Sequence, residues 1–164
     1  MEEINKAEVI YHCLSDWDEL DGKYQPSIMD DVFIIGYPWG LSGGNEVLPI
    51  FKKGSIASEP DVNQSNLPRI LVDSRTTEGN SGSPVIVSHS GYYLHNKNSP
   101  EEAIIGTLHA FLGIYSGRLT ADELENLGAS NKEVTELGIV WKEEVIQEII
   151  EGNTLGTKLS EMLE

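Results

Sequence analysis

Residues 30–120 consist of short apolar, β-branched runs separated by turn-forming residues. β-Branched side chains favour strands, whereas clusters of Gly, Pro, Asn, Asp and Ser favour turns. The runs are residues 32–35, 47–51, 54–57, 69–72, 84–87 and 103–115. Strands spaced this regularly predict a mainly β fold, either a closed antiparallel barrel or a sandwich.

Helix signals are confined to the last third of the chain. Thr120 and Glu123 have the spacing of a capping box, which predicts a short helix through Leu127 that stops at Gly128. A second helix of about ten residues is predicted to lay an apolar stripe on the sheet and to end at Gly152. The stripe consists of Trp141, Val145, Ile146, Ile149 and Ile150. We expect residues 88–102 to form a polar surface loop, and residues 7–14 fit a strand.

Composition narrows the function classes. The chain has 164 residues, 11 Lys and Arg against 27 Asp and Glu, and a formal net charge of -16. This charge disfavours nucleic-acid binding. Cys13 is the single cysteine, so no intrachain disulfide can form. No apolar run approaches the roughly 18 residues of a membrane span, and the N-terminus lacks the pattern of a signal peptide. We therefore expect a soluble, cytoplasmic protein with no membrane partner; the alternative is a longer parent protein that is secreted or periplasmic.

Residues 78–86, EGNSGSPVI, place a serine between two glycines. An α/β-hydrolase nucleophile elbow needs a second glycine where Ser83 stands and a helix where Pro84 begins a strand-like run, so that geometry fails. The other nucleophile geometry is a tight loop leading into a strand, with the N–H groups of Gly79 and Ser81 converging on one point. Glycine at 79 suits this loop, because an oxyanion approaches an amide closely where no side chain intervenes.

The Gly-Asn-Ser-Gly-x-Pro motif at residues 79–84 resembles the nucleophile loop of the trypsin/chymotrypsin-type serine peptidases. Four other segments are similar to the disulfide-free bacterial Deg/HtrA-type members, and they occur in the same order. They are residues 35–40 (IGYPWG), 51–57 (FKKGSIA), 72–73 (VD) and 111–117 (FLGIYSG). Together with the C-terminal helix, the resemblance covers residues 31–151. It implies an antiparallel six-stranded barrel, the second of the two barrels in this fold, followed by a helix.

The resemblance also implies a domain organisation. Residues 1–29 would be an N-terminal strand and connector, residues 30–152 the peptidase barrel with its helix, and residues 153–164 a tail. By position, Ser81 matches the nucleophile, and the N–H groups of Gly79 and Ser81 match the oxyanion hole. Asn80 matches the residue that shapes the loop.

The implied substrate-binding residues flank the serine loop. Ser116 and Gly117 match the strand that pairs with an extended peptide. Residues 75–80, which include Glu78, would wall the primary specificity pocket. Arg75 falls near the base of that pocket, where it would favour acidic residues before the scissile bond; the alternative is an ordinary outward-facing arginine.

The resemblance requires a histidine and an aspartate that this chain does not supply at matching positions. Both come from the first barrel in the family, which needs on the order of 60–80 residues. Cys13 to Ile35 spans 23 residues, so we expect the first barrel to be missing or truncated here and His12 to be an ordinary residue. The acidic candidates before the serine all lie in turn-like surroundings: Asp16, Asp18, Asp21, Asp30 and Asp31.

The other histidines follow the serine. His109 is expected to be a half-buried strand histidine bonded to a carbonyl. His89 and His95 flank Tyr92 and Tyr93 without a cysteine or a carboxylate cluster, which is weak evidence for zinc. We therefore expect no metal and no cofactor.

These observations leave two hypotheses of different classes. The first is a serine endopeptidase domain fragment, which acts on a peptide or protein substrate through an acyl-enzyme on Ser81 in a full-length parent. We expect the 164-residue chain alone to be inactive, since its histidine and aspartate are missing. The alternative is a non-catalytic peptide-binding or interaction module, a pseudoprotease. In either case the face left by the missing barrel would be apolar and could form a homodimer.

Overall fold

The computed structural model describes residues 25–43, 48–94, 103–128 and 136–152. Six strands dominate it: β1 (Asp31–Gly36), β2 (Ile50–Ile56), β3 (Arg69–Asp73), β4 (Pro84–Leu94), β5 (Ala103–Arg118) and β6 (Leu137–Lys142). The helices are α1 (Ala121–Asn126) and α2 (Glu143–Glu151), with 3-10 turns at Pro38–Gly40 and Gln64–Asn66. The prediction of a mainly β fold is confirmed.

All neighbouring strands are antiparallel and lie in the order β1-β2-β3-β6-β5-β4. β4 pairs back to β1, with Val32 opposite Val87, so the sheet closes into a barrel. β4 lies beside β1 and β1-β2-β3 are consecutive, which is the Greek-key order. The β4–β5 hairpin places the beginning of β4 against β5, with Pro84 opposite Ile114.

The core is built from alternating inward-facing residues. On β1, Val32 and Ile34 are fully buried while Asp31 is exposed, as expected for a strand with one face on a core. The main cluster contains Val32, Ile34, Ile56, Ile70, Val72, Val85, Val87, Leu112, Tyr115 and Val140. Each buried aliphatic side chain of this kind stabilises the fold by about 1.5–3 kcal/mol.

Helix α1 begins with the predicted capping box. The Glu123 N–H donates to Thr120 Oγ1 at 3.3 Å, and the Thr120 N–H donates to Glu123 Oε2 at 3.0 Å. Glu123 also accepts from Arg69 on β3, with 2.7 Å between Nη1 and Oε1. Leu127 caps the C-terminus and Gly128 follows with φ 83°, so the predicted end of the helix is confirmed. Glu123 therefore takes part in the capping box and also attaches the helix to the barrel.

The C-terminal helix differs from its prediction at both ends of the apolar stripe. Trp141 belongs to β6, a strand that the sequence analysis missed because its buried residues are consecutive rather than alternating. Val145 and Ile146 are half-buried, and α2 contacts β5 and β6. Ile149 and Ile150 are 60% and 72% exposed. Among the described residues, only the first part of the stripe therefore packs on the barrel.

Two further predictions are corrected. The runs at 47–51 and 54–57 do not form two strands: β2 is continuous through Lys52, Lys53 and Gly54, all of which pair with β1. The predicted loop at 88–102 begins instead as strand, since β4 continues to Leu94 and pairs with β5 as far as Ala103. Polar residues occur in this hairpin because it extends past the barrel core.

Several predictions fall on residues that the structure does not describe. These are the strand at 7–14, the tail at 153–164, residues 95–102 of the predicted loop, and His12, Asp16, Asp18, Asp21 and His95.

Candidate functional site

The serine loop connects β3 to β4 and folds around a buried asparagine. Asn80 is fully buried, and its Nδ2 donates to the Thr77 carbonyl at 3.1 Å. The Asn80 N–H donates to the same carbonyl at 3.3 Å, and the Asn80 carbonyl accepts from the Ser83 N–H at 3.0 Å. These local bonds give residues 77–83 a compact turn, which is the role that the resemblance implies for Asn80.

The loop is docked on β5 by four hydrogen bonds, one of which joins the side chains of Thr76 and Tyr115. The Gly82 N–H donates to the Tyr115 carbonyl at 2.8 Å, and the Tyr115 N–H donates to the Ser83 carbonyl at 2.9 Å. The Ser81 hydroxyl donates to the Ser116 carbonyl at 2.8 Å. The structure therefore brings Ser81 and Ser116 together, although 35 positions separate them, and both are exposed.

The N–H groups of Gly79 and Ser81 are two unpaired donors of this loop, one on either side of Asn80. The intervening Asn80 N–H and the following N–H groups of Gly82 and Ser83 all donate to backbone carbonyls. Neither Gly79 nor Ser81 donates its N–H to any acceptor in the part of the chain that the structure describes, and both residues are exposed. Two open backbone donors beside a hydroxyl are the groups that can stabilise an oxyanion.

The turn after β1 fixes the peptide unit that carries one of these donors. The Trp39 N–H donates to the Glu78 carbonyl at 2.9 Å. In a trans peptide the carbonyl and the following N–H point in opposite directions, so this bond turns the Gly79 N–H away from Trp39. Gly79 has φ +91°, and a Cβ there would lie 2.8 Å from both the Trp39 nitrogen and the Tyr37 carbonyl oxygen. Glycine at 79 is therefore required by its conformation and by the close approach of this turn.

The end of β5 next to the loop is an open strand edge. Pairing with β4 begins at Pro84 opposite Ile114, so the later residues of β5 have β6 as their strand neighbour. A bulge lies between Tyr115 and Gly117. Ser116 and Gly117 therefore lie on an edge to which an extended peptide could add as a strand.

The candidate pocket residues lie at different depths. Arg75 is exposed between the buried residues Ser74 and Thr76, and Glu78 is exposed. Beneath the loop, Thr76 and Tyr115 are 1% and 2% exposed and are hydrogen-bonded through their side-chain oxygens. Burial raises the pKa of the Tyr115 phenol, although the Thr76 bond and the charge of Arg118 act in the opposite direction.

Sequence reasoning missed Tyr115 and Trp39 as parts of the site, and it included Thr76 only within the predicted pocket wall at residues 75–80. A signal was available for Tyr115, because it directly precedes Ser116 on a strand, where successive side chains face opposite sides. No comparable signal was available for Trp39, whose role depends on a contact between two separate loops.

The described histidines lie away from Ser81. His89 is five residues past Pro84 on β4, or about 16 Å along the strand. Its Nδ1 lies 2.7 Å from Oδ1 of the buried Asp30. His109 pairs with Ser88 and is exposed, whereas a half-buried residue was predicted. No described histidine is therefore within hydrogen-bond reach of the Ser81 hydroxyl.

The described ranges contain neither a metal-ion cluster nor a membrane-spanning helix. Those ranges contain no group of three or more His, Cys, Asp or Glu residues that could hold a metal ion. They also contain no helix that is both long and apolar enough to cross a membrane.

The chain matches no protein-family model, no curated protein and no solved structure to which it was compared. Its candidate function is therefore argued from the contacts of its own residues.

Proposed function

We propose that this barrel is the nucleophile-bearing half of a trypsin-like serine peptidase, with Ser81 as the nucleophile. The observation that carries the proposal is the pair of unpaired, exposed N–H groups, Gly79 and Ser81, on either side of a buried asparagine. Together with the resemblance of the motif at 79–84, they support a site for a developing oxyanion next to the Ser81 hydroxyl.

The open edge of β5 supports the same proposal. A peptide that pairs with Ser116 and Gly117 would run past the Ser81 hydroxyl, because this hydroxyl already contacts the Ser116 carbonyl. Its carbonyl oxygen would then accept hydrogen bonds from the N–H groups of Gly79 and Ser81. Peptide pairing and oxyanion binding are thus two parts of one groove.

The proposed reaction is acyl transfer. Ser81 Oγ attacks the peptide carbonyl carbon while its proton passes to a base, and the C–N bond then breaks as the amine leaves with a proton. Water hydrolyses the resulting ester and regenerates the hydroxyl. The base and the carboxylate that orients it would come from outside the described residues or from another polypeptide. Such a base would replace the Ser116 carbonyl as the acceptor of the Ser81 proton.

A second candidate function is a non-catalytic peptide-binding module. One observation favours it: the Ser81 proton is directed to a backbone carbonyl, which is not a base that can accept it. In that case the same edge and the same N–H groups would bind a peptide without cleaving it.

Labelling of the full chain with a fluorophosphonate distinguishes the two candidates. If Ser81 is activated by a base, we expect rapid labelling that Ser81→Ala abolishes. The matched control is Ser116→Ala, which removes a neighbouring exposed hydroxyl and keeps the carbonyl that Ser81 contacts. Labelling no faster than that of free serine would show that no base in this chain activates Ser81, and it would favour the binding module.

Histidine variants extend this experiment to the base. General-base catalysis contributes about 10²–10⁴-fold, so loss of the base should slow labelling by at least about 100-fold. His12→Ala and His95→Ala test the two histidines outside the described residues, with His109→Ala as the control on β5. If none of them slows rapid labelling, the base does not belong to this set.

A further inference from the structure

From the contacts beneath Ser81 we infer that this groove accepts only a small side chain, such as that of glycine, alanine or serine, on the residue before the scissile bond. Tyr115 is the residue that sets this limit. The inference rests on the proposed peptide groove and holds whether or not the bound peptide is cleaved.

Two features determine the position of the peptide: the unpaired N–H groups of the serine loop and the open edge of β5. A carbonyl that accepts from Gly79 and Ser81 is held at the serine loop, and the residues before it lie along the edge at Ser116 and Gly117. The side chain next to this carbonyl therefore lies over the gap between the serine loop and β5.

That gap is filled by the protein itself. The Tyr115 side chain is 2% exposed and its hydroxyl is bonded to that of Thr76, which is 1% exposed and belongs to the serine loop. On the other side, a Cβ added to Gly138 of β6 would lie 2.5 Å from Cε2 of the Tyr115 ring. The ring thus spans from β5 to the loop and packs against β6, where a deep pocket would otherwise be.

The ring is also held in place. The N–H and the carbonyl of Tyr115 are both bonded to the serine loop, through Ser83 and Gly82. A large substrate side chain would have to displace the ring, which would break its bond to Thr76 and leave two buried hydroxyls unpaired. The groove should therefore discriminate by size.

This inference differs from the hypothesis that Arg75 forms the base of the pocket. Arg75 is exposed, and of its two buried neighbours Thr76 is the one bonded to Tyr115. The inference accordingly predicts a preference for small side chains, not for acidic ones.

Peptide binding to the unmodified chain tests the size limit without requiring catalysis. The probes are N-acetylated tetrapeptides with a free C-terminal carboxylate that differ in the last residue: alanine, leucine, glutamate or phenylalanine. The readout is the NMR shift of the Gly79 and Ser81 amides. We expect the alanine peptide to bind with a Kd at least about tenfold lower than the phenylalanine and glutamate peptides, a typical discrimination for an apolar pocket.

Two variants of the ring test its role directly. Tyr115→Val should remove the preference for alanine by opening the gap, whereas Tyr115→Phe, which keeps the ring, should retain it. If Tyr115→Val fails to fold, the peptide series on the unmodified chain still decides. Equal or tighter binding of the phenylalanine or glutamate peptide would overturn the size limit and leave the groove intact. Failure of every peptide to shift the two amides would refute the proposed groove and this inference with it.

Discussion

Gly79 has a backbone conformation that favours glycine, with φ +91°, and its N–H is unpaired. Gly79→Ala should destabilise the fold, since alanine is strained at φ +91° and its Cβ would lie 2.8 Å from the Trp39 nitrogen and the Tyr37 carbonyl oxygen. We expect a loss of about 2–4 kcal/mol in the free energy of unfolding, measured with urea.

Gly82→Ala is the matched control for this variant. Gly82 has a similar φ of +85°, but a Cβ there has no neighbour within 4 Å. The control should lose about 1–2 kcal/mol from backbone strain alone. Equal losses for the two variants would show that the contact with the turn after β1 is unimportant.

At this scale the sequence predicts the local part of the site and not the part that depends on packing. Residues 79–84 form one turn, so their spacing alone indicates which N–H groups flank Ser81. Trp39 enters the site through a contact between two separate loops, and such a contact leaves no pattern in the sequence. The bond between Thr76 and Tyr115 likewise depends on packing of the loop against β5.

Helix α1 is attached to β3 through the ion pair of Glu123 and Arg69, which should make the free energy of unfolding depend on pH. The hydrogen bond from the Thr120 N–H, followed by that from Arg69, lowers the pKa of Glu123 below its ordinary value of 4.5. A carboxylate with a lowered pKa in the folded state stabilises the fold above its unfolded pKa, and this contribution is lost as the pH falls through the folded value.

Glu123→Gln should therefore cost about 1–2 kcal/mol near neutral pH, since glutamine keeps neutral hydrogen bonds but leaves the buried Arg69 without a charged partner. The difference from the unmodified protein should be constant above about pH 5 and shrink as the pH falls below 4.5. Urea unfolding across this range measures it.

The control is Asp122→Asn, which removes a carboxylate from the same helical turn. Asp122 makes no hydrogen bond or ion pair with another residue in the described ranges. If Asp122→Asn and Glu123→Gln gave the same pH dependence, the contact with Arg69 would not be its source.

The hairpin formed by β4 and β5 should be less stable beyond the barrel than within it. β1 accompanies β4 only as far as Ser88, whereas pairing with β5 continues through Ser90 and Gly91 to Leu94. A two-stranded ribbon without a third neighbour is marginally stable in water. Amide hydrogen exchange at Ser90 and Gly91 should therefore be at least about tenfold faster than at Val85 and Val87. Uniform protection along β4 would contradict this view of the hairpin.

The two incorrect strand predictions, for β2 and β6, have related causes. A pattern of short apolar runs predicts strands where one face is buried, but β2 carries Lys52 and Lys53 in its middle and looks interrupted. β6 has three consecutive buried residues followed directly by a helix, so its residues fit the helical spacing as well. Pairing partners, which the sequence does not reveal, decide both cases.

For the whole molecule, charge and exposed apolar side chains act in opposite directions on self-association. Five large apolar residues are exposed near the turn after β1 and on β2: Tyr37, Trp39, Leu41, Leu48 and Phe51. The net charge of -16 repels a second copy. We predict a monomer at about 0.02 M sodium chloride and a dimer at about 1 M, where the Debye length falls to about 3 Å.

Light scattering across these salt concentrations tests the prediction. Phe51→Ser should weaken the dimer, whereas Ile105→Ser should not, because Ile105 is 82% exposed on the distant β4–β5 hairpin. A monomer at every salt concentration would exclude the proposed homodimer.

Strand spacing predicts a mainly β molecule and leaves a barrel and a sandwich open, because it does not specify which strands pair; the barrel is implied by the resemblance alone. The pairing of β1 with β4 decides between them. Ser81 lies beside the open end of β5 because β4, which follows the serine loop, pairs with β5 in a hairpin.

A crystal structure of the chain with a tetrapeptide boronic acid ending in alanine tests the central claim most directly. The account predicts boron bonded to Ser81 Oγ, one boronate oxygen about 2.7–3.1 Å from the backbone nitrogens of both Gly79 and Ser81, and the peptide paired with the edge at Ser116 and Gly117. A boronate bound elsewhere, or an oxygen that contacts neither nitrogen, would contradict it.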